Sequence, residues 1–435
     1  MKRVEVAERL LAQVWKRQLL EARKLVTGSG ERVCVIYPGR ENRDRGPDFV
    51  GAVISTADGV TLRGDVELHS RASDWRIHGH HRDSNYNNVI LQVVWEGDEV
   101  AVLESGRVAP TVSLCHCLDG SLDDIHYQAG LPLVPSEPCC NARERLGDRV
   151  VGRLLDEAGE ERFRIKAGDF AAALCVEQPS QVLYRGVMGA LGYTKNKEAF
   201  EELSCRLPLE VLEGLCCIKS YLERVTVLEA LLLGKAGLLP DDGGDERERI
   251  WHSLGGGETM SPDRWRVFRI RPGNHPARRL AGAAHLLARF METGLFEGVL
   301  QLVSASSLSI GKLESSFMVR DYGPCSNGKR KLIGQGRARE IVVNIVLPFI
   351  FAWAEACSHR RLERRILALY RRYPVVGEYG MTRELKGLLG VGASELVGSA
   401  RRQQGLLHLD KMYCRPRECI ACPVARRLSS AALAG

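Results

Sequence analysis

Apolar residues recur at helical spacing through the first segment of the chain, residues 5–26, with charged residues between them. A Gly-Ser-Gly sequence ends this pattern, so the segment predicts one amphipathic helix. Short runs of the kind typical of strands follow. The predicted strands are residues 33–37, 49–56, 60–69, 89–95 and 100–103.

Leucine, alanine, arginine and glutamate dominate the chain from about residue 142 onward, which predicts a series of helices. Three prolines cluster at residues 132–138, so we place a domain boundary between about residues 120 and 145. The predicted fold class is α+β. An N-terminal α/β domain covers residues 1–125, and a mainly α-helical region covers residues 140–435.

The longest apolar stretch, Ile341–Ala354, has 14 residues and contains Pro348. A helix needs about 20 apolar residues to span a bilayer, so this stretch predicts a buried helix that is kinked or broken at Pro348. The first residues of the chain carry acids and arginines instead of an apolar run. We therefore expect no secretion signal, no membrane attachment and a cytoplasmic location.

The composition is ordinary for a soluble globular protein: 435 residues, 45% apolar, with 61 lysines and arginines against 54 acids and a formal charge of +7. It excludes a disordered chain and a collagen-like repeat. Fourteen cysteines are few for a disulfide scaffold in a cytosolic chain of this length. Reduced core thiols and metal ligands are the two competing interpretations of these cysteines.

Two predicted strands flank an Asp-Gly pair at residues 58–59, the strongest short-range signal of a β-hairpin. A two-residue turn there places Asp48 opposite His69. Because side chains alternate between the two faces of a strand, Val50 and Ala52 are expected on the same face as Asp48.

The same alternation places Asp65, Glu67 and His69 on the face that carries Asp48. Three carboxylates and an imidazole that converge in this way need a cation among them, and a divalent ion such as Mg²⁺ or Mn²⁺ is the usual one. The alternative interpretation is a half-exposed hairpin with a solvated acidic face.

Gly46-Pro47-Asp48 and Glu67-Leu68-His69 resemble the metal-binding signature of PD-(D/E)xK nucleases. The predicted order of one helix and then three strands is also similar to that superfamily. The resemblance implies a restriction-endonuclease-like domain in which Asp48 and Glu67 hold the metal. His69 stands where the superfamily has a lysine. An imidazole there can orient water or stabilise charge at a phosphate, although it is not a fixed cation.

The superfamily sometimes adds a carboxylate from its first helix, for which Glu8 and Glu21 are candidates. A cluster of four potential metal ligands also follows the hairpin, at His78, His80, His81 and Asp83. Such a cluster can bind zinc. We favour a supporting role at the hairpin site over a separate zinc centre, and by sequence proximity we group Asn42, Asp44 and Tyr86 with the cluster.

The resemblance to a second family extends over nearly the whole chain. Several segments are similar to an uncharacterised bacterial family, domain-of-unknown-function family 2851, which has no activity to carry over. These segments are residues 39–49, 64–69, 73–75, 86–91, 190–193, 271–276 and 344–349, together with the last three cysteines.

Those last cysteines, Cys414, Cys419 and Cys422, are close enough in sequence to share one metal ion or an iron–sulfur cluster. They resemble the iron–sulfur loop of DNA glycosylases of the endonuclease III type, but they lack the trailing fourth cysteine. We expect zinc or an iron–sulfur cluster, against ordinary reduced thiols. The candidates for a fourth ligand are Cys325, Cys357, His359 and His408, whereas Cys115, Cys117, Cys139 and Cys140 are expected to be core or surface thiols.

Basic residues are dense at 264–279, 329–339 and 360–372. This density predicts phosphate contacts and therefore a nucleic-acid partner. Solvated helix faces with acidic partners such as Glu363 are the alternative.

Three functions follow from these patterns. The first is a Mg²⁺- or Mn²⁺-dependent nuclease in which Asp48 and Glu67 bind the metal, Asp65 assists, and His69 positions water or the scissile phosphate. The second is a non-catalytic nucleic-acid-binding or scaffold protein with a nuclease-like fold. The third is a hydrolase of a small phosphorylated substrate, centred on the histidine-rich residues 78–83.

Overall fold

The computed structural model describes most of the chain in two compact units, Met1–Val134 and Pro135–Gly435. None of the described helices combines the length and the apolar character needed to cross a bilayer. The described residues are 8–21, 24–42, 45–97, 99–120, 124–125, 138–214, 220–239, 245–268, 270–320, 331–377, 379–391, 395–416 and 418–432.

A mixed sheet forms the first unit, and helix α1 (Glu8–Arg17) packs on it. The strand order is β1-β3-β4-β5-β8, with β2 paired to β3. β1, β3 and β4 are antiparallel, whereas β5 is parallel to β4, and β8 is parallel to β5. The strands are β1 (Val33–Tyr37), β2 (Arg40–Glu41), β3 (Phe49–Thr56), β4 (Thr61–Arg71), β5 (Val89–Glu96), β6 (Ala101–Val102), β7 (Val108–Ala109) and β8 (Thr111–Ser113).

Helix α1 is shorter than the predicted helix over residues 5–26, because it ends at Arg17. Gln18 has a φ of 54°, a left-handed conformation that stops a right-handed helix. Leu20 and Leu25 are nevertheless buried in the core of the sheet. The apolar pattern therefore predicted burial correctly and the extent of the helix wrongly.

The β3–β4 hairpin does not have the predicted two-residue turn. Ser55 pairs with Thr61, and the backbone N–H groups of Thr56 and Gly59 donate to the carbonyls of Val60 and Thr56, respectively. This pattern is a three-residue loop with Gly59 at a φ of 82°. The register is therefore shifted by one residue from the predicted one.

A bulge at Val50 and Gly51 shifts the register again, so that Phe49 pairs with Val66. Continuing that pairing places Asp48 beside Glu67, not opposite His69 as predicted. Because the bulge inserts an extra residue, Ala52 returns to the apolar face that Phe49 occupies. The prediction that Ala52 shares a face with Asp48 is therefore wrong.

The connection from β4 to β5, residues 72–88, crosses over to a parallel strand. It consists of helix α2 (Asp74–Ile77) and two short 3₁₀ turns, His80–Arg82 and Ser84–Tyr86. Trp75 and Tyr86 anchor it in a small apolar cluster.

Helices make up most of the second unit, as predicted, with a short hairpin of β9 (Val319–Arg320) and β10 (Lys331–Ile333). The described helices are α3 (Ala142–Leu146), α4 (Asp148–Leu174), α5 (Pro179–Arg206), α6 (Leu209–Glu213), α7 (Tyr221–Ala236), α8 (Glu246–Ser253), α9 (Pro276–Phe290), α10 (Leu295–Ser304), α11 (Ile310–Phe317), α12 (Gln335–Ile341), α13 (Leu347–Ala356), α14 (Arg360–Arg372), α15 (Arg383–Leu388), α16 (Ala400–Leu409) and α17 (Pro423–Ala432). The apolar stretch around Pro348 is buried as predicted, and its irregularity is a π turn over Val342–Val346.

Glycines allow α4 and α16 to pack with their backbones in contact. A Cβ atom added to Gly159 would lie 2.1 Å from the carbonyl oxygen of Arg401, and one added to Gly405 would lie 2.1 Å from that of Leu155. Ion pairs flank this contact, and one joins Arg402 to Asp156.

The substitution Gly159→Ala is expected to lower the free energy of unfolding by about 1–3 kcal/mol, because the two helices must separate to admit the methyl group. Gly168→Ala on the same helix is the matched control, because a Cβ there meets no atom within 4 Å. The control should raise stability by up to about 1 kcal/mol. Thermal unfolding followed by helical circular dichroism measures both, and equal effects would contradict the close packing.

Candidate functional site

The bulged end of the hairpin holds Asp48 and Glu67 side by side. The backbone N–H of Asp48 donates to Glu67 Oε2 at 2.9 Å, and the backbone N–H of Leu68 donates to Asp48 Oδ2 at 3.1 Å. Glu67 is buried, with 6% of its surface exposed, and Asp48 is half-buried. Each carboxylate therefore has one oxygen fixed by the backbone of the opposite strand.

Two imidazoles face the other oxygen of Glu67. His80 Nε2 lies 3.3 Å and His69 Nε2 lies 3.8 Å from Glu67 Oε1. Both histidines are buried, and neither Nε2 atom has a hydrogen-bond partner in the described part of the chain. A buried polar atom without a partner carries a free-energy cost that a bound ion, water or substrate removes.

Gln92 sets the orientation and the tautomer of His69. The Gln92 amide nitrogen donates to the carbonyl of Ala72 at 3.1 Å, and it lies 3.2 Å from His69 Nδ1. Thr111 donates to the amide oxygen at 3.0 Å. Because the amide nitrogen is a donor, His69 Nδ1 accepts and the ring proton of a neutral His69 is on Nε2. His69 therefore offers an N–H donor to the site.

Burial dominates the electrostatics of the two carboxyl groups. It raises the pKa of Glu67 to about 8. Burial, and then the neighbouring charge of Glu67, raises the pKa of Asp48 to about 7. Without a cation, both groups therefore carry protons at pH values where an ordinary carboxyl group is ionised.

The histidines shift in the opposite direction. Burial, followed by the charges of His80 and His78, lowers the pKa of His69 to about 3. Burial also lowers the pKa of His80, against the opposing effect of Asp48 and other acids. Both rings are therefore neutral near pH 7, so His69 cannot supply the fixed positive charge of a lysine.

His78 completes a group of three imidazoles. One ring nitrogen from each of His69, His78 and His80 lies within 4.8 Å of the others, and His78 is exposed. Tyr86 stacks on His80 with ring centroids 3.9 Å apart. Of the predicted supporting residues, His80 thus lies beside Glu67, and His78 lies beside His69 and His80.

Of the two predicted helix acids, Glu8 affects the carboxyl groups of the site and Glu21 does not. Besides burial, which is the main cause, the negative charge of Glu8 raises the pKa of both Asp48 and Glu67. Glu21 instead pairs with Lys24 at 2.7 Å.

The other predicted site residues make structural contacts, are only half-buried, or lie outside the described part of the chain. Asp65 accepts hydrogen bonds from the backbone N–H of Gly51 and from the side chain of Asn88, and thus fixes the bulge. Asp83 pairs with Arg45 at 2.8 Å and caps the following 3₁₀ turn. His81 is half-buried, and Asp44 lies outside the described residues.

The chain matches a known protein family in sequence. The model of the family described as "Protein of unknown function (DUF2851)" matches residues 8–376. The chain belongs to this family. No curated protein and no solved structure gives a significant match. The DUF2851 match includes the whole hairpin site and ends before Cys414, Cys419 and Cys422.

Many of the arginines predicted to contact phosphate bind groups within the DUF2851 chain itself. Arg339 pairs with Glu314 at 2.9 Å, and Arg371 pairs with Glu160 at 2.7 Å. Arg360 pairs with Glu363, the acid that the alternative interpretation named.

Two of the segments similar to the DUF2851 family, residues 190–193 and 271–276, meet around Tyr193. Its φ of 55° interrupts α5, and its hydroxyl accepts a hydrogen bond from Arg279 at 2.6 Å. Arg337 stacks on the ring with its guanidinium carbon 3.2 Å from the centroid and donates to the carbonyl of Ala190. Arg279 also donates to Asn274. This partly buried cluster was not predicted, because nothing in the sequence pairs a tyrosine with arginines so far along the chain.

The raised pKa values predict how stability depends on pH in the absence of metal. An unfolded histidine is half protonated near pH 6.5 and mostly neutral above it, so in this range the two carboxyl groups outweigh the histidines and decide the sign. Folded Asp48 and Glu67 keep protons that the unfolded chain has already lost. The free energy of unfolding should therefore fall as the pH rises from about 6.5 to about 8.

The substitution Glu67→Gln removes one of these groups and should flatten the decline, whereas Asp58→Asn, in the exposed loop of the same hairpin, should leave it unchanged. Denaturant unfolding at a series of pH values in the presence of a chelator measures both. A slope that Glu67→Gln does not alter would contradict the assigned environment of Glu67.

Proposed function

We propose that the N-terminal unit is a metal-dependent phosphodiesterase that acts on nucleic acid, with Asp48 and Glu67 as the carboxylate ligands. The observation that carries the proposal is the position of Glu67. One of its oxygens is fixed by a backbone N–H, and the other faces two imidazoles whose Nε2 atoms have no hydrogen-bond partner among the described residues.

The donor set fits a divalent ion. Two carboxyl groups with raised pKa values are costly to ionise together unless a cation is bound between them. Imidazole nitrogens from His80 and His78 can add to the carboxylate oxygens, and such mixed ligands suit Mn²⁺ better than Mg²⁺. A bound divalent ion would supply charge stabilisation at the phosphate and a more acidic water.

His69 has a separate role in this proposal. Because Gln92 occupies its Nδ1, its Nε2–H can donate to a phosphate oxygen or to the attacking water. A neutral donor orients that group but leaves charge neutralisation to the cation. This arrangement accounts for a histidine at the position where PD-(D/E)xK nucleases have a lysine.

The order of the elements supports a restriction-endonuclease-like core. Helix α1 precedes three antiparallel strands, a crossover with short helices follows, and β5 returns parallel to β4. Asp48 directly precedes β3, Glu67 lies within β4, and α1 carries Glu8. The resemblance to PD-(D/E)xK nucleases expects acids on these three elements.

Exposed cations of the same unit favour a polyanionic substrate. Arg71 ends β4, and Arg76 and Arg82 lie on the crossover that carries His78 and His80. Their side chains can neutralise phosphates of a bound substrate, which makes binding depend on salt concentration.

We expect the purified chain to cleave DNA or RNA oligonucleotides in the presence of Mn²⁺, and Glu67→Gln to reduce the rate at least about a hundredfold, because it removes a metal ligand. Asp58→Asn is the matched control, since it neutralises an acid of the same hairpin that lies away from Glu67. Cleavage is measured on labelled single- and double-stranded substrates with Mn²⁺, Mg²⁺ or a chelator.

Metal-dependent cleavage that Glu67→Gln does not reduce would contradict the assigned ligands. Salt-dependent binding of the oligonucleotides without any cleavage would favour the non-catalytic scaffold instead.

A further inference from the structure

Two helices of the second unit bring cationic side chains to one carboxyl group. Arg162 and Lys166 lie about one turn apart on α4, and therefore on one face of that helix. Arg337 and Glu340 share a face of α12 in the same way. Asn344 links the two helices, because its amide oxygen accepts a hydrogen bond from Lys166 and its amide nitrogen donates to Glu340 Oε2 at 2.5 Å. We call Arg162, Lys166 and Arg337 the basic cluster.

A second route connects Arg162 to the same carboxyl group. Arg162 Nε donates to the side-chain oxygen of the buried Gln404 at 2.8 Å, and the Gln404 amide nitrogen donates to the Tyr379 hydroxyl at 3.4 Å. Burial, and then the negative charge of Glu340, raises the pKa of Tyr379, so this hydroxyl lies near the acid. Side chains from α4, α12, α16 and the π turn thus hold the basic cluster in one place.

Most N–H donors of the basic cluster have no acceptor within the described ranges. Lys166 has Asn344 as its hydrogen-bond partner, and Arg162 uses its Nε while both of its Nη atoms have none. Arg337 donates through Nη1 to the carbonyl of Ala190, and its buried Nε has no partner. Donors that converge without acceptors are satisfied by a ligand that carries several acceptor oxygens.

The charges of the basic cluster are not neutralised by ion pairs. Among the described residues, no acid lies within ion-pair distance of Arg162, Lys166 or Arg337. Burial, and then the positive charge of Arg162, lowers the pKa of Lys166 well below its ordinary value, and Glu340 opposes this shift. Partly buried cations that lie close together are costly unless an anion binds between them.

We propose that Arg162, Lys166 and Arg337 bind a dianionic phosphate group of the kind that a phosphate monoester carries. Each of the three side chains is half-buried, so part of each remains open to solvent. Stacking of Arg337 on Tyr193 holds its guanidinium in place before the ligand arrives. This inference concerns the helical unit and is independent of the function proposed for the hairpin.

Charge balance favours a phosphate monoester over other anions. The basic cluster brings up to three positive charges, and Glu340 contributes one negative charge beside it. A phosphate monoester carries about two negative charges at neutral pH and has three strong acceptor oxygens, whereas a carboxylate or a phosphodiester carries one charge. Arginine also matches the geometry of phosphate oxygens through paired N–H donors.

The test is the affinity of the full-length chain for inorganic phosphate and for adenosine 5′-monophosphate, measured by titration calorimetry at low salt. Lys166→Met and Arg162→Gln should each weaken binding at least about tenfold, because each removes a charged donor to the anion. Arg153→Gln is the matched control, since Arg153 is an exposed arginine of the same helix that lies outside the basic cluster. Glu340→Gln should strengthen binding, because it removes a negative charge beside the anion.

Helical circular dichroism establishes first that each variant is folded. If Lys166→Met does not fold, Arg162→Gln carries the test, because glutamine keeps a polar side chain next to Gln404. No saturable binding of phosphate or of the nucleotide by the wild-type chain would overturn the proposal. A loss of affinity in Lys166→Met and Arg162→Gln no larger than that in Arg153→Gln would also overturn it.

Oligonucleotides with a 5′-phosphate or a 5′-hydroxyl identify the source of the phosphate group. Tighter binding of the 5′-phosphorylated strand, lost in Arg162→Gln, would support the proposal and assign the site to a nucleic-acid end. Binding of the nucleotide without any preference between the two strands would support the proposal and assign the site to a small phosphorylated ligand.

Discussion

Reciprocal hydrogen bonds between β3 and β4 are the constraint on which the hairpin site depends. The backbone N–H of Asp48 binds the Glu67 carboxylate, and the backbone N–H of Leu68 binds the Asp48 carboxylate. Asp48 and Glu67 therefore cannot separate without loss of strand pairing. Their proximity and burial make ionisation costly, and this cost makes a cation favourable there. The raised pKa values of the two carboxyl groups and the lowered pKa values of His69 and His80 all follow mainly from the burial of the site.

The opposite face of the strands provides the rigidity for this arrangement. Phe49, Val66 and Leu68 alternate with the site residues and are buried in the sheet core. Burial of each such side chain contributes about 1.5–3 kcal/mol, which offsets the cost of holding acids together. Gln92 restrains His69 in a similar way. Its side-chain amide is buried in an apolar strand and fixes the orientation of the imidazole ring.

Much of the fold and part of the site follow from sequence alone. The strands at 33–37 and 49–56 have the predicted bounds, and the helical second unit was expected from its composition. The predicted register was wrong, because Gly59 and Gly51 adopt left-handed conformations that a residue pattern does not specify. The contacts of Tyr193 with Arg279 and Arg337 were also missed, since they depend on how distant helices pack.

The parallel pairing of β4 with β5 has a kinetic consequence. His78, His80 and Tyr86 belong to the crossover between these strands, and Gln92 belongs to the second of them, so the site cannot be complete before this non-local pairing forms. Crossover pairing closes a long loop and is slow compared with the formation of a hairpin. An ion that binds through these histidines would therefore bind late in folding, after the sheet has formed, and would not nucleate the sheet.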